Sequence, residues 1–269
     1  MQEQILFSEL SGPLGRLTAA AYARAAELPA GASGEPWVTV PSMRAALLAA
    51  PTVAVIAEVK RRSPSQGVIN HEMVASERAV AYVSGGAAAI SVLTEPTEFG
   101  GAPQDLLLVR ACASVPLLRK DFHVTEAQIY ETRALGASAV LLIARALPAA
   151  RLVELVALAH EVGLEALVEV RTDAELAVAV ASGSAMIGVN ARNLETLVID
   201  HAVVARLLPQ IPASVVAIAE SGLAVRADVE RVASLGADAV LIGSALSRQV
   251  DGAAAVAGLC GVLRNRRGA

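Results

Sequence analysis

One short phrase recurs along the chain and constrains its fold more than any other feature. It appears as Gly86-Ala-Ala-Ala-Ile-Ser-Val-Leu93, Gly136-Ala-Ser-Ala-Val-Leu-Leu-Ile143 and Gly236-Ala-Asp-Ala-Val-Leu-Ile-Gly243. Looser copies are Gly163-Leu-Glu-Ala-Leu-Val-Glu-Val170 and Gly183-Ser-Ala-Met-Ile-Gly-Val-Asn190. Each glycine follows a helix-like stretch and suits the left-handed position that ends a helix. The apolar run behind it has few charges and is rich in Val, Ile and Leu, which marks a strand buried on both faces, as in a parallel sheet.

Extending the phrase predicts eight strands, near 53–59, 88–93, 115–119, 139–144, 165–170, 185–190, 214–219 and 238–243. A helical segment follows each. Thr125 with Gln128 and Thr172 with Glu175 have the spacing of capping boxes. Pro148 suits a first helical position, and Leu152, Val153, Leu155, Val156 and Ala159 repeat behind it at helical spacing. Eight consecutive strand–helix units predict an α/β fold, a single (β/α)8 TIM barrel. The 269 residues fit one such domain, with residues 51–269 as the barrel and 1–50 as an N-terminal helical extension packed on it. No GxGxxG follows the first strand, which counts against a dinucleotide site.

Composition narrows the partners. At 55% hydrophobic and 18% charged residues the chain can bury a full core. A net charge of −4 argues against nucleic acid. Glu3, Glu9, Arg16, Arg24 and Glu27 break up the first thirty residues, so no signal peptide is expected, and no apolar run is long enough for a membrane span. The expectation is a cytoplasmic protein, a monomer or weak homo-oligomer. Cys112 and Cys260 read as two buried thiols in helices. His71, His123, His160 and His201 share no metal-ligand spacing and read as solvated or cap-adjacent. The Arg264–Arg267 stretch reads as a solvated tail. Neither a metal nor a cofactor is expected.

In a barrel of this kind the chemistry collects where the strands end at their C-terminal face. Glu58 and Lys60 share one face of the first strand by its period of two. The chain has twenty arginines and two lysines, Lys60 and Lys120, and both lysines stand at strand ends. Arginine keeps its proton at neutral pH, whereas a desolvated lysine can exchange one, so this placement points to proton chemistry rather than surface charge. Glu169 ends an otherwise apolar strand, where a carboxylate is costly unless paired or functional. Asn190 offers donors and an acceptor without titrating. Ser221-Gly222 and Gly243-Ser244 occupy the loops after the seventh and eighth strands, where barrels bind phosphate through backbone amides. Arg145 could face the mouth or turn away.

Taken together, several segments carry a family resemblance. They are Val55-Ile-Ala-Glu-Val-Lys-Arg-Arg-Ser-Pro-Ser65, Gly86–Glu95, Phe99-Gly-Gly101, Leu118-Arg-Lys-Asp-Phe122, Leu167-Val-Glu-Val170, Gly188-Val-Asn-Ala-Arg-Asn-Leu194, Ala219-Glu-Ser-Gly222 and Ile242-Gly-Ser-Ala-Leu246. The chain resembles the indole-3-glycerol-phosphate synthases over nearly all its barrel. The resemblance implies a carboxy-lyase of tryptophan biosynthesis acting on 1-(2-carboxyphenylamino)-1-deoxyribulose 5-phosphate, a phosphorylated, anthranilate-derived small molecule. It implies that Lys120 is the general acid for ring closure and that Lys60 contacts substrate and assists protonation or dehydration. It implies that Glu58 positions the lysines or exchanges protons with them, that Glu169 is the base in ring closure or dehydration, and that Asn190 and Ser221 orient the substrate. Ser63, Gly222, Gly243 and Ser244 would take the phosphate. Pro64, Phe99, Phe122, Leu141, Arg192, Leu194 and Glu220 would line the rest of the substrate site. Residues 1–40 and the stretch Asn70–Glu77, which lacks an Asp-Pro-like helix start, depart from the family pattern. Two other readings are a paralogous barrel working on a related substrate and a non-catalytic barrel that binds a phosphorylated metabolite. A third, the neighbouring isomerase family of the same pathway, would need a Cys/Asp pair where this chain has Glu58, Lys60 and Asn190.

Overall fold

The computed structural model describes residues 10–29, 39–265 and 267. Eight parallel strands close into a barrel: β1 (Ala54–Val59), β2 (Ala89–Leu93), β3 (Leu117–Lys120), β4 (Ala139–Ile143), β5 (Glu165–Val170), β6 (Met186–Asn190), β7 (Val216–Glu220) and β8 (Ala239–Ile242). Each pairs with its sequence neighbours, and β8 returns to β1 with Ala54 opposite Ala239. Nearly every strand residue is buried, which is why the runs are continuously apolar rather than alternating. The outer helices are α3 (Ala75–Ser84), α4 (Pro103–Cys112), α5 (Glu126–Ala134), α6 (Ala149–Glu161), α7 (Asp173–Ala181), α8 (His201–Leu207) and α9 (Arg226–Ser234). The short helices α10 (Ser244–Ser247) and α11 (Gly252–Ala257) follow β8. The repeat glycines Gly86, Gly136, Gly163, Gly183 and Gly236 all take positive φ, between 77° and 97°, at the helix-to-strand corners.

The described part of the extension forms two helices with different tasks. Helix α1 (Gly12–Ala25) lies over the barrel mouth, where the Leu14 amide donates to the Leu194 carbonyl at 3.1 Å. Helix α2 (Met43–Leu48) sits at the opposite end, against the start of β5. There the Glu165 carboxylate accepts from the amides of Met43 (2.6 Å) and Arg44 (2.9 Å) and from the Ser42 hydroxyl (2.7 Å). A carboxylate at a helix N-terminus satisfies donors the helix cannot satisfy itself. The expectations for residues 1–9 and 30–38 lie outside the described residues.

Several expectations are corrected. Cys112 is exposed and Cys260 is half-buried, and Cys260 lies beyond the end of α11 rather than in a helix. His123 is neither solvated nor a cap: it is buried, with Nδ1 2.9 Å from the Leu141 carbonyl and Nε2 3.3 Å from Thr132 Oγ1. Arg264 and Arg267 do not form a solvated tail. Arg267 donates to the carbonyls of Ile211, Gly236 and Val215, and pairs with Asp238 at 2.9 Å. Arg264 reaches the Ala50 carbonyl at 2.7 Å. The apolar density of the barrel floor leaves carbonyl ends there that arginine forks satisfy. Pro148 is the N-cap of α6, one position earlier than expected. Gln128 accepts from the Thr125 and Val124 amides, and the Thr172 hydroxyl caps α7 through the Glu175 amide. No described helix is long and apolar enough to cross a membrane.

Candidate active site

The C-terminal ends of the strands surround a cavity of about 300 Å³. That is at the lower end of small-molecule sites, which run from about 300 to 1,000 Å³. Every site residue singled out from the sequence lines it: Glu58, Lys60, Ser63, Pro64, Phe99, Lys120, Phe122, Leu141, Glu169, Asn190, Arg192, Leu194, Glu220, Ser221, Gly222, Gly243 and Ser244. Pro13 and Leu17 of α1, and Gln66 and Arg248 of the loops, line it as well.

Two ion clusters line the mouth. At the end of β1, Lys60 Nζ lies 2.6 Å from Glu58 Oε1. At the end of β3, Lys120 Nζ lies between two carboxylates, 2.8 Å from Glu220 Oε2 and 3.2 Å from Glu169 Oε2. Glu169 is aimed in turn by Asn190, whose Nδ2 donates to Oε1 at 2.8 Å while its Oδ1 accepts from the Arg192 amide at 2.9 Å. Asn190 thus fixes the carboxylate and the following loop together. Burial alone would pull the Lys120 ammonium down, but Glu220, Glu169 and Glu58 outweigh it and hold its pKa above the usual lysine value. Burial is also the main effect on Glu220; Lys120 opposes it, and the charges of Glu169 and Glu58 add to it, leaving the carboxyl pushed up to about 7.

The role of Glu220 was not legible beyond substrate contact, although it carries the same signal as Glu169, a carboxylate closing an apolar strand. What the sequence does not show is that two strands that are not neighbours, β5 and β7, aim their carboxylates at one ammonium. Gly243, expected at the phosphate, has a second duty. A Cβ built there would stand 2.1 Å from Glu58 Oε1 and 2.8 Å from Lys60 Nζ, so the Glu58–Lys60 pair occupies the space of the absent side chain.

The end of the cavity where a phosphate is expected is lined by residues of the loops after β7 and β8 and of the short hairpin Arg62–Ser63/Gly67–Val68 after β1. Ser221 and Gly222 are successive left-handed residues, with φ of 65° and 70°. Such a turn gathers backbone N–H groups into an anion-binding concavity. Ser63 Oγ is buried and without a hydrogen-bond partner among the described residues. Arg248 donates to Gln66 Oε1 at 2.8 Å and joins the β8 loop to the hairpin. Leu17, Phe99, Phe122, Leu141 and Leu194 give the cavity an apolar lining. Arg145, undecided from sequence, turns outward to Glu195 at 3.4 Å. Among the described residues no cluster of three or more His, Cys, Asp or Glu has the geometry of a metal site.

Helix α1 is held over this cavity by Arg24. Its Nη2 lies 2.8 Å from Asp121 Oδ1 and its Nη1 3.6 Å from Glu95 Oε1. Asp121 follows Lys120 directly, and its other oxygen accepts from Thr94 Oγ1 at 2.7 Å.

A family model described as indole-3-glycerol phosphate synthase matches residues 38–259. An indole-3-glycerol phosphate synthase from Mycolicibacterium gilvum is 50% identical over 214 residues, covering 80% of this chain and 79% of that one. The indole-3-glycerol phosphate synthase 2 of Streptomyces coelicolor is 46% identical over 217 residues, covering 81% and 84%. Among solved structures, 3-hexulose-6-phosphate synthase from Salmonella typhimurium superposes with a TM-score of 0.62 at 15% identity, covering 77% of this chain and 96% of that one, a likeness of fold alone.

Proposed function

The chain belongs to the indole-3-glycerol phosphate synthase family, and from that premise we infer how this cavity closes an indole ring. The substrate is 1-(2-carboxyphenylamino)-1-deoxyribulose 5-phosphate, and the products are indole-3-glycerol phosphate, carbon dioxide and water. The observation that carries the reading is Lys120, held between Glu169 and Glu220 in a cavity with an apolar wall and a turn rich in backbone donors.

The phosphate sits at Ser63, Gly222, Gly243 and Ser244, and the aryl ring lies against Phe99, Phe122, Leu141 and Leu194, with Pro64 and Arg192 completing the surround. Ser221 orients the substrate beside the phosphate turn. This pose brings the carboxylate-bearing aryl carbon to the keto carbon. As the new carbon–carbon bond forms, Lys120 protonates the carbonyl oxygen. Carbon dioxide then leaves, and its bonding pair restores the aromatic ring. A second proton, delivered with the help of Lys60, lets the new hydroxyl depart as water. Glu169 takes the proton from the neighbouring carbon. Two protons are donated and one is recovered, which balances the loss of a carboxylate as neutral carbon dioxide. Each positioned acid or base contributes about 10²–10⁴ in rate, so the two lysines and their carboxylates supply the catalysis without an electron-sink cofactor. The enzyme works in the cytoplasm, as a monomer or weak homo-oligomer.

The test is turnover of this substrate in EDTA, followed by indole fluorescence, beside Lys120→Arg. Arginine keeps the charge but cannot give up its proton. Wild-type turnover with a loss of about 10²-fold or more in the variant is expected for a removed general acid. Binding without turnover by the wild type would move the site to a related substrate or to binding alone.

A further inference from the structure

Gly188 occupies the middle of β6, where a glycine needs a reason. Its φ is not positive, so the backbone does not demand it. Glycine inside a strand weakens the strand and marks a place where something else comes close. Here the intruder is identifiable. A Cβ built on Gly188 would stand 2.0 Å from Glu220 Oε1, 3.0 Å from Glu220 Cδ and 3.4 Å from Leu167 Cδ1. Glu220 Oε1 is buried and has no hydrogen-bond partner among the described residues, so no donor holds that oxygen in place.

The register explains the arrangement. Gly188 pairs with Glu169 on β5, and two residues further along β6, on the same face, Asn190 pairs with Glu220 on β7. Strand β6 therefore runs between the two carboxylates that hold Lys120. Asn190 directs Glu169 from one position on β6, and the empty position two residues before it receives Glu220. We propose that Gly188 is a positioning residue for catalysis: it leaves open the space in which Glu220 lies, so that the other carboxylate oxygen reaches Lys120 Nζ.

The inference rests on the roles proposed above for Lys120 and Glu220. A methyl group at position 188 must push Glu220 Oε1 from 2.0 Å out to at least the 3.4 Å of ordinary contact, and a misplacement of only about an ångström can already cost about 10²-fold in rate. Gly188→Ala is expected to lower kcat about 100-fold with KM within a few-fold, and to move the alkaline limb of the kcat/KM profile to lower pH, since Glu220 loses its hold on the Lys120 ammonium. Adding Gly188→Ala to Glu220→Ala should cost nothing more in kcat than Glu220→Ala alone. Melting temperatures give a readout independent of turnover: Gly188→Ala should destabilise the wild type but not Glu220→Ala, in which the obstructing carboxylate is gone. Wild-type kcat retained within threefold would overturn the proposal. So would an equal fall in melting temperature in both backgrounds, or failure of both to fold, since either places the fault in the strand itself. If the wild type turned over no substrate, the catalytic reading would fall, while the melting cycle would still decide whether Gly188 seats Glu220.

Discussion

Removing Arg24 tests whether α1 is a working roof or only an attachment. The Arg24 side chain is 30% exposed, whereas the Asp121 and Glu95 side chains it meets are 3% and 0% exposed. Hydrogen bonds to charged groups contribute about 1.5–3 kcal/mol. Two facts discount that figure. Arg24 is partly in water, where screening weakens it. Its partners also keep other donors: Asp121 retains Thr94 Oγ1 and the Phe122 amide at 2.7 and 2.8 Å, and Glu95 retains the amides of Thr97, Glu98 and Phe99. Arg24→Ala should therefore weaken helix docking by about 1–2 kcal/mol. Because α1 carries Pro13 and Leu17 onto the cavity, the loss should emerge as weaker substrate binding, a KM raised about 5–30-fold. The proton-transfer groups stand on strands, so kcat should stay within threefold. Arg24→Lys should recover part of the loss, since it keeps the charge without the fork. Steady-state assays of indole fluorescence across substrate concentration separate the two constants. A fall in kcat with KM unchanged would refute the reasoning, and would show that Arg24 acts through Asp121 on its neighbour Lys120.

Two further outcomes follow from particular residues. Gly243→Ala places a methyl group where Glu58 Oε1 now lies, so turnover should drop about 100-fold while the far-UV circular dichroism spectrum is unchanged; activity within threefold of wild type would show that the pair can move aside. His123 is held neutral, its pKa well below 6.5, first by burial and then by the nearby charges of Arg119 and Arg24. The unfolded chain takes up that proton below about pH 6.5 and the folded chain does not, so this residue makes stability fall with acidity by about 1.4 kcal/mol per pH unit. Glu220, with its pKa raised, acts in the opposite sense, its contribution being greatest at low pH and lost as pH rises toward about 7. Urea unfolding of wild type and His123→Asn between pH 5 and 7 isolates the first effect: the variant should lose that slope, and parallel slopes would exclude it.

How far the chain could be read follows from the range of each interaction. The eight strands fall within two residues of their expected bounds because the Gly-Ala phrase encodes a local event, a helix stop followed by a buried run. β3 extends one residue further, to Lys120, since pairing with Leu93 of β2 continues the ladder there. The strand-end residues reach one cavity because barrel geometry converts position along a strand into depth. What stayed hidden depends on contacts between distant segments. Nothing around His123 announces that the Leu141 carbonyl, 18 residues on in the next strand, will accept a hydrogen bond from its Nδ1. Arg264 and Arg267 resemble any basic tail until the carbonyls beneath the barrel are in view. Glu220 and Gly188 look unrelated until adjacent strands are set in register.

The way β8 returns to β1 has a consequence for how the protein is made. The seam is closed by Ala54–Ala239 pairing, by the bridge between Thr52 and Leu263, and by Arg264 and Arg267 gathered on Asp238. All of its later partners are translated after the other seven strands. Until they leave the ribosome, β1 and β7 are bare edges of an open sheet, the state most prone to pairing with another chain. The interval of greatest danger for this protein is thus set by how quickly residues 239–267 are added, and a translational pause just before them should cost more yield than a pause of equal length anywhere in the preceding helices.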